Sequence, residues 1–320
     1  MKKLFSLLVT LSILSCSTVE NDLNPETQNP INVYVAGEKN EQACYWKNNE
    51  LVLLEDSDFE YSRAEKIIVS NNDVFVLGKG NATGSNYETN LFWKNGILTN
   101  LNTSFFNQLL NNALVIDDME VSGNDVYFIG YTIDWDAGIY SLKTWKNNIP
   151  TELQTNNNTN LVSAKATIKV NNNIVYATAP KENGYFIGGT FFSKEGYKLN
   201  GFAFNTNDVF LFGEQILAVN PVTGYYENIL TTVETTFPSD SDVKKLQFDN
   251  SHVYYSSLFN ISKNGSAVYN AAQNDIIITF AVLNDNLFVI EGSNSQIVKI
   301  NDVIAMNASS GERFYGLFVD

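Results

Sequence analysis

Histidine, cysteine and positive charge are all scarce in this chain, and each shortage closes off a class of chemistry. There is one histidine, His252, and there are two cysteines, Cys16 and Cys44, in 320 residues. A Ser-His-Asp hydrolase would have to be built around His252 in a pocket, oriented by a carboxylate. A zinc site usually draws on several His or Cys ligands, so no metal is expected. Twenty Lys and Arg stand against 35 Asp and Glu, a formal charge of −15. Such a surface repels phosphate backbones, which argues against nucleic acid as a partner. It also argues against a basic patch docking on anionic lipid. No apolar run approaches the ~20 residues that cross a bilayer. No glycine loop with a following lysine offers a phosphate cradle, and no cofactor is expected. Asp56-Ser57-Asp58 and Ser239-Asp240-Ser241-Asp242 lack the spacing of an EF-hand loop. Sustained 3.6-residue apolar periodicity with caps is also missing, so almost no helix is expected after the first residues.

What is present begins with Lys2 and Lys3, followed by an apolar run from Leu4 to Leu14 broken only by Ser6, Thr10 and Ser12. A charged start, a short apolar run and a small residue before a break mark a signal peptide over residues 1–15. Ile13-Leu14-Ser15-Cys16 resembles the lipobox of bacterial lipoproteins, with the leucine shifted by one place. That resemblance implies that Cys16 is lipidated and becomes the first mature residue. The chain would then be held at a membrane through its lipid, in the outer membrane, facing either the cell surface or the periplasm. Glu20 and Asp22 loosely match surface-export signals of Bacteroidota lipoproteins. Residues 16–30 are polar, with Pro25 and Pro30, and read as a flexible tether. Losing Lys2 and Lys3 with the signal takes the formal charge from −15 to −17. Cys44 would then be the lone thiol, set in an apolar run and expected to be buried.

Residues 31–320 carry a repeat, the feature that decides the fold. Val33-Tyr34-Val35-Ala36-Gly37 precedes Tyr45-Trp46-Lys47-Asn48-Asn49. Val74-Phe75-Val76-Leu77-Gly78 precedes Phe92-Trp93-Lys94-Asn95-Gly96, and Val126-Tyr127-Phe128-Ile129-Gly130 precedes Thr144-Trp145-Lys146-Asn147-Asn148. Four fainter units follow at Asn172-Asn173-Ile174, Asn207-Asp208-Val209, Ser251-His252-Val253 and Asp285-Asn286-Leu287. Val, Ile, Phe, Tyr and Thr fill the short runs, as strands prefer. Asn, Asp and Gly fill the gaps, and Asn and Gly tolerate the positive φ of tight hairpins. Strands apolar on both faces fit a sheet packed between neighbours.

The spacing predicts an all-β, seven-bladed β-propeller of four-stranded blades. Strand A precedes the Asn/Asp turn, as in residues 66–69. Strand B follows it, strand C carries the tryptophan, and strand D follows the Lys-Asn turn. The first unit lacks a strand A, whereas Arg313 to Val319 has the strand A pattern with no strand B after it. The last strand is therefore expected to complete the first blade and close the ring.

Over residues 31–150 the Val-Tyr-Val-Ala-Gly and Tyr-Trp-Lys-Asn-Asn runs resemble repeats of exported β-propeller lipoproteins of Bacteroidota. The later blades lack the tryptophan. Val219-Asn220-Pro221-Val222-Thr223-Gly224 is similar to the hairpin of quinoprotein-type propeller repeats, as turn chemistry only. The resemblance implies a fold and a location and brings no catalytic residue.

Trp46, Trp93 and Trp145 recur at one strand position, which predicts packing between blades. His252 stands where Asp73, Asp125 and Asp208 stand in sibling units, which predicts a turn residue. Trp135 lies outside the repeat. The B–C loops, read as residues 79–90 and 131–142, and the D–A loops 102–117, 154–164 and 231–242, converge on one face. Long loops on a rigid scaffold are where binding concentrates. Trp135, Tyr87 and Tyr140 are the expected anchors, since Trp and Tyr dominate hot spots. The expected function is a non-enzymatic binding or scaffolding propeller of the envelope, monomeric, with a protein or glycan partner. The alternatives are a propeller glycoside hydrolase or lyase, with carboxylates brought together from different blades, and a structural subunit of an envelope complex.

Overall fold

The computed structural model describes residues 31–85, 87–105, 112–156, 165–206, 208–216, 223–237, 243–293 and 295–320. The expected signal peptide, Cys16 and tether lie outside the described residues. So do Asn86, Asn207, residues 219–222 of the quinoprotein-like hairpin, and residues 238–242.

Residues 32–320 form one compact unit of seven four-stranded antiparallel sheets. Blade 2 shows the pattern: strands Phe59–Ser70, Asp73–Ala82, Glu88–Lys94 and Ile97–Asn100, hydrogen-bonded in that order. Blade 3 is Asn112–Ser122 through Ile149–Asn156, and blades 4 to 7 begin at Ile168, Tyr197, Lys245 and Ile277. The inner strands neighbour one another in cyclic order. The ring closes as the sequence predicts: Glu312–Val319 pairs with Val33–Lys39 and supplies strand A of blade 1.

The repeat motif can be decoded atom by atom. The asparagine of the C–D turn accepts through Oδ1 from a backbone N–H at the start of strand B, its first residue in blade 1 and its second in blades 2 and 3. The distances are 2.8 Å for Asn48 to Val33, 2.8 Å for Asn95 to Val74 and 3.0 Å for Asn147 to Val126. Its amide donates to the first side chain of strand B, 2.8 Å from Asn95 to Asp73 and 2.6 Å from Asn147 to Asp125. The turn itself needs positive φ at two successive residues, here Asn95 (52°) and Gly96 (83°). The motif lysine pairs with the same aspartate, Lys94–Asp73 at 2.8 Å and Lys146–Asp125 at 2.7 Å. It lies over the next aromatic ring of strand B, 5.1 Å from the Phe75 centroid and 5.4 Å from Tyr127.

The asparagine clamp outlasts the tryptophan. It recurs in blades 6 and 7 as Asn264 to Val253 (3.0 Å) and Asn301 to Leu287 (2.9 Å). In blade 6 the side chain under the clamp is His252, 2.8 Å from Asn264. His252 opens strand B beside the turn, as its siblings Asp73 and Asp125 do, rather than standing in the turn itself.

Trp93 and Trp145 pack where blades meet, whereas Trp46 meets Phe314 of its own blade. Trp46, Trp93 and Trp145 are 4, 0 and 2 % exposed. Trp93 donates through its indole N–H to the Glu55 carbonyl at 2.6 Å, reaching the connection from blade 1. Trp145 stacks on Phe105 at 5.3 Å, and Trp46 meets Phe314 edge-on at 4.9 Å. The strand B glycine makes room, since a Cβ on Gly37 or Gly78 would meet the Trp46 or Trp93 ring at 2.8 or 2.9 Å. Apolar clusters sit between successive blades from the 1–2 interface to the 6–7 interface. Each large apolar side chain buried there contributes roughly 1.5–3 kcal/mol. Cys44 is fully buried, and burial pushes its thiol up to about 12.

The D–A loops read as 102–117, 154–164 and 231–242 shorten, because Asn112–Ser122, Ile149–Asn156 and Val233–Thr236 are strands that reach into them, and three further boundaries differ from the sequence reading. Strand A of blade 2 starts at Phe59 rather than residue 66. The B–C loops shrink to 83–87 and 135–138, because Lys79 to Asn81 pair with Glu88 to Asn90 and Tyr131 to Asp134 pair with Ile139 to Leu142. Glycine and polar side chains made these segments look like loop, whereas ladder hydrogen bonds use the backbone alone. Finally, Leu101–Phe105 is a short helix in an expected loop, with Asn100 accepting from the Thr103 N–H at 3.2 Å.

Deleting residues 313–320 exposes the edge of Val33–Lys39 and the inner face of blade 1. The expected outcome is aggregation, or a melting temperature lower by more than about 10 °C, several kcal/mol for a domain of this size. An unchanged melting curve would show that the closing strand is dispensable.

Candidate functional site

Seven inner strands surround a central cavity of about 620 Å³. Which side chains face it is set by a bulge. Strand A slips register between Ala64 and Lys66, between Ile116 and Asp118, between Leu199 and Gly201, and between Ile277 and Thr279. A bulge re-aims the side chains that follow it. Lys66, Asp118, Lys245 and Thr279 stand four residues before the end of their strands and line the cavity. Glu120, Lys169 and Gln247 stand two before the end and line it too.

The charges on one side of this channel are paired. Lys66 meets Asp118 at 2.6 Å, and Lys169 meets Glu120 at 2.6 Å. Asp118 also accepts from the Ile168 N–H at 3.0 Å, tying blade 3 to blade 4. Burial works against the Lys169 charge, but the Glu120 carboxylate outweighs it and holds the amine above its usual range. Lys245 is different. Its Nζ donates to Thr279 Oγ1 at 3.2 Å and to the Phe280 carbonyl at 2.5 Å, with no carboxylate beside it among the described residues. Burial, and then the positive charges of Lys169 and Lys66, pull its amine down to about 7.

At the loop-face end, blades 3 and 4 bring together a polar cluster. Asp117 is the bulged residue between Ile116 and Asp118 and accepts from the Ala166 N–H at 3.0 Å. Burial raises its carboxyl from the ordinary 3.8 to about 6, against the Ala166 hydrogen bond and the nearby Lys165 and Lys79 charges. Lys181 lies over two rings, 4.2 Å from the Tyr131 centroid and 4.6 Å from Tyr140. Asn156 donates to Tyr140 Oη at 3.1 Å and to Glu182 Oε1 at 3.3 Å. Burial lowers the Lys181 amine and raises the Glu182 carboxyl. A further cavity of about 980 Å³ is lined by Glu38, Tyr61, Gln296, Glu312 and Arg313. There Tyr61 donates to Glu38 at 2.6 Å.

The three anchors expected from sequence separate. Tyr87 is 83 % exposed and Trp135 is 49 % exposed, at the B–C tips of adjacent blades. The Trp135 tip is a turn fixed by Asp134, which accepts from the Ala137 N–H at 2.9 Å. Tyr140 is 5 % exposed, packed edge-on against Tyr131. It opens a strand rather than a loop, so its ring is a wall of the blade 3–4 cluster and not a presented anchor. Asp56 is structural, accepting from Ser62 Oγ at 2.6 Å and Gln42 Nε2 at 3.1 Å. Among the described residues no group of three or more His, Cys, Asp and Glu could hold a metal ion. The channel lysines were missed because their register positions vary in residue type around the ring, lysine in blades 2 and 6 but aspartate in blade 3 and glycine in blade 5. The signal available was register, counted back from each A–B turn.

No family model matches the chain, and no curated protein matches it. Solved structures do. An acylaminoacyl peptidase of Pyrococcus horikoshii is 10 % identical, with a TM-score of 0.53 over 89 % of this chain and 51 % of that one. A quinoprotein alcohol dehydrogenase-like protein of Bacteroides thetaiotaomicron is 10 % identical, with a TM-score of 0.49 over 89 % of this chain and 77 % of that one. AztD of Citrobacter koseri is 9 % identical, with a TM-score of 0.45 over 90 % and 98 %. The chain spans about half the length of the peptidase it matches. At such identities the likeness is one of fold, the β-propeller.

The Asp117 shift has a consequence for stability. Its carboxyl is more basic folded than unfolded, so its contribution is fully present below pH 3.8 and is lost as pH rises to about 6. Asp117→Asn, which keeps an oxygen for the Ala166 N–H, should melt higher than the wild type at pH 7.5, by on the order of 1 kcal/mol after solvent screening. The two proteins should coincide near pH 4. Thermal denaturation across that range checks it, and a variant that is less stable at pH 7.5 contradicts it.

Proposed function

We propose that this chain is an exported, lipid-anchored propeller of the cell envelope that binds a protein or glycan partner and performs no chemistry of its own. The observation that carries the binding reading is the contrast among aromatic residues. The repeat tryptophans are consumed by packing at 0–4 % exposure, whereas Trp135 and Tyr87 stand out from adjacent tips of one face. Exposed aromatic side chains held on short, turn-fixed tips suit recognition, since little ordering entropy is lost when they dock. Tyr140 leaves this set because it is buried. The anchoring reading rests on the sequence, with Cys16 where the apolar run ends.

The hydrolase alternative needs two carboxylates free to act as acid and base. The two in the channel, Asp118 and Glu120, are each engaged by a lysine at 2.6 Å. The peptidases among the structural matches share the fold, and nothing about their activity is carried to this chain.

Two measurements test the proposal. Cys16→Ala should move the protein from the membrane pellet to the soluble fraction on cell fractionation, and a mutant that still pellets refutes the lipid anchor. On an array of bacterial polysaccharides and on immobilised envelope proteins, the Trp135→Ala, Tyr87→Ala double mutant should bind at least about tenfold more weakly, a loss of ~1.4 kcal/mol. If substitutions on the short-turn face, such as Asn71→Ala and Asn124→Ala, are the ones that abolish binding, the wrong face has been chosen.

A further inference from the structure

The channel is divided in two. On blades 2 to 4 its charges are matched, Lys66 with Asp118 and Lys169 with Glu120. On blades 5 to 7 the walls beside Lys245 are small, namely Gly201 and Ala203 on one flank and Thr279 and Ala281 on the other. Ile68 and Phe318 add apolar surface to the lining. Small residues on both flanks leave space next to Lys245, the channel amine with no carboxylate beside it among the described residues. The fold does not require an amine there. Blade 2 also places a lysine at this register, but blade 5 places glycine and blade 7 threonine. An enclosed cation without a counter-ion is costly, and two remedies exist. The amine can give up its proton, or an anion can enter.

We infer that the channel is a binding site for a small organic monocarboxylate, its carboxylate on Lys245 Nζ and its apolar body against Ala203, Ala281 and Phe318. The charge count selects the ligand. Four lysines line the channel with two carboxylates, Asp118 and Glu120; Lys244 lies 3.7 Å from Glu214, so one positive charge, that of Lys245, is left to balance. A monoanion neutralises it, whereas a phosphate dianion would leave the channel negative. Lys66 and Lys169 already have Asp118 and Glu120 as counter-charges, so they carry no unbalanced charge to offer a second anion. The apolar walls favour a carboxylate with a hydrocarbon body over acetate. This site is separate from the loop face proposed for the macromolecular partner, and either can fail without the other.

Binding should carry a proton signature. Burial and the neighbouring lysines hold the Lys245 amine near 7, and a carboxylate beside it favours the charged form. The charged groups facing it from the other inner strands are Lys66, Asp118, Glu120 and Lys169. Lys244 also lines the cavity, while Lys198 meets Glu214 at 2.8 Å. At pH 7.5 the ligand should therefore draw a fraction of a proton onto the protein.

The test uses benzoate as probe, with acetate and inorganic phosphate as comparison anions, by titration calorimetry on the propeller unit, residues 32–320. The expected result is saturable one-to-one benzoate binding, at least tenfold tighter than acetate or phosphate. Its apparent enthalpy at pH 7.5 should change between phosphate-free buffers of different ionisation enthalpy. Lys245→Met should weaken benzoate at least tenfold while the melting temperature holds or rises, since the substitution removes an unmatched charge. Ala203→Leu keeps the amine and fills the space beside it, and should weaken benzoate as well, which covers the case in which Lys245→Met fails to fold. No saturable benzoate binding, a preference for phosphate, or undiminished binding by Ala203→Leu would each overturn the assignment.

Discussion

Everything in this molecule hangs on a geometric constraint: a blade that is apolar on both faces cannot exist alone. Val35, Ala36, Phe75, Val76 and Phe128 are all essentially buried, on strands whose two sides each meet another blade. Such a sheet is stable only between two others, and the first and last in a row would each present a bare face. Closing the row into a ring removes both ends. The closing interaction is the antiparallel pairing of Glu312–Val319 with Val33–Lys39. It joins residues nearly the whole domain apart in sequence, so the loop entropy it opposes is large. The two strands share a blade core in which Trp46 packs on Phe314.

From that constraint follows a division of labour among the polar residues. At the C–D turns, lysine, asparagine and aspartate are committed to one another. Individually these exposed contacts contribute little, but they pin the register of strand C to strand B in blade after blade. Where one partner changes, the rest adjust. His252 replaces the aspartate in blade 6, and Lys263 turns to Asp285 of blade 7 at 2.8 Å. Residues that repeat therefore hold the fold, and residues that break the pattern are the ones free for function. Trp135, Tyr87, Asp117 and Lys245 all belong to the second group.

This explains what could be read in the sequence and what could not. The blade count, the closing strand, the packing role of Trp46, Trp93 and Trp145, and the place of His252 beside the turn were legible, because repetition reports constraint directly. The limits of strands B and C were not. Lys79-Gly80-Asn81-Ala82 has loop composition, yet its backbone pairs with Glu88 to Asn90. Salt bridges from Arg63 to Glu88 (2.6 Å) and Lys79 to Glu88 (3.8 Å) border that extension. The burial of Tyr140 followed from the same misplacement, since a residue placed in a loop by composition was in fact opening a strand. The channel escaped notice for a different reason. Its lining alternates with core-facing residues along strand A, and a bulge shifts the alternation, so no short motif marks it.

The charge of the chain sharpens the role of the channel. A formal charge of −15 would seem to bar anions, but surface charge acts through solvent and is screened within ~8 Å at physiological ionic strength. Inside the channel the field comes from the nearest groups in a medium less polar than water, where a unit charge at 4 Å is worth several times its value in bulk. Lys66 and Lys169 are cancelled at 2.6 Å and Lys244 lies 3.7 Å from Glu214, which leaves Lys245 to set the local sign. The acidic exterior and the channel amine therefore act over different ranges. The exterior discourages polyanions, whose charges extend along the surface, while a small monoanion meets the exterior only in passing and the Lys245 amine at contact. Selection by size and by charge then comes from the same arrangement that closes the ring.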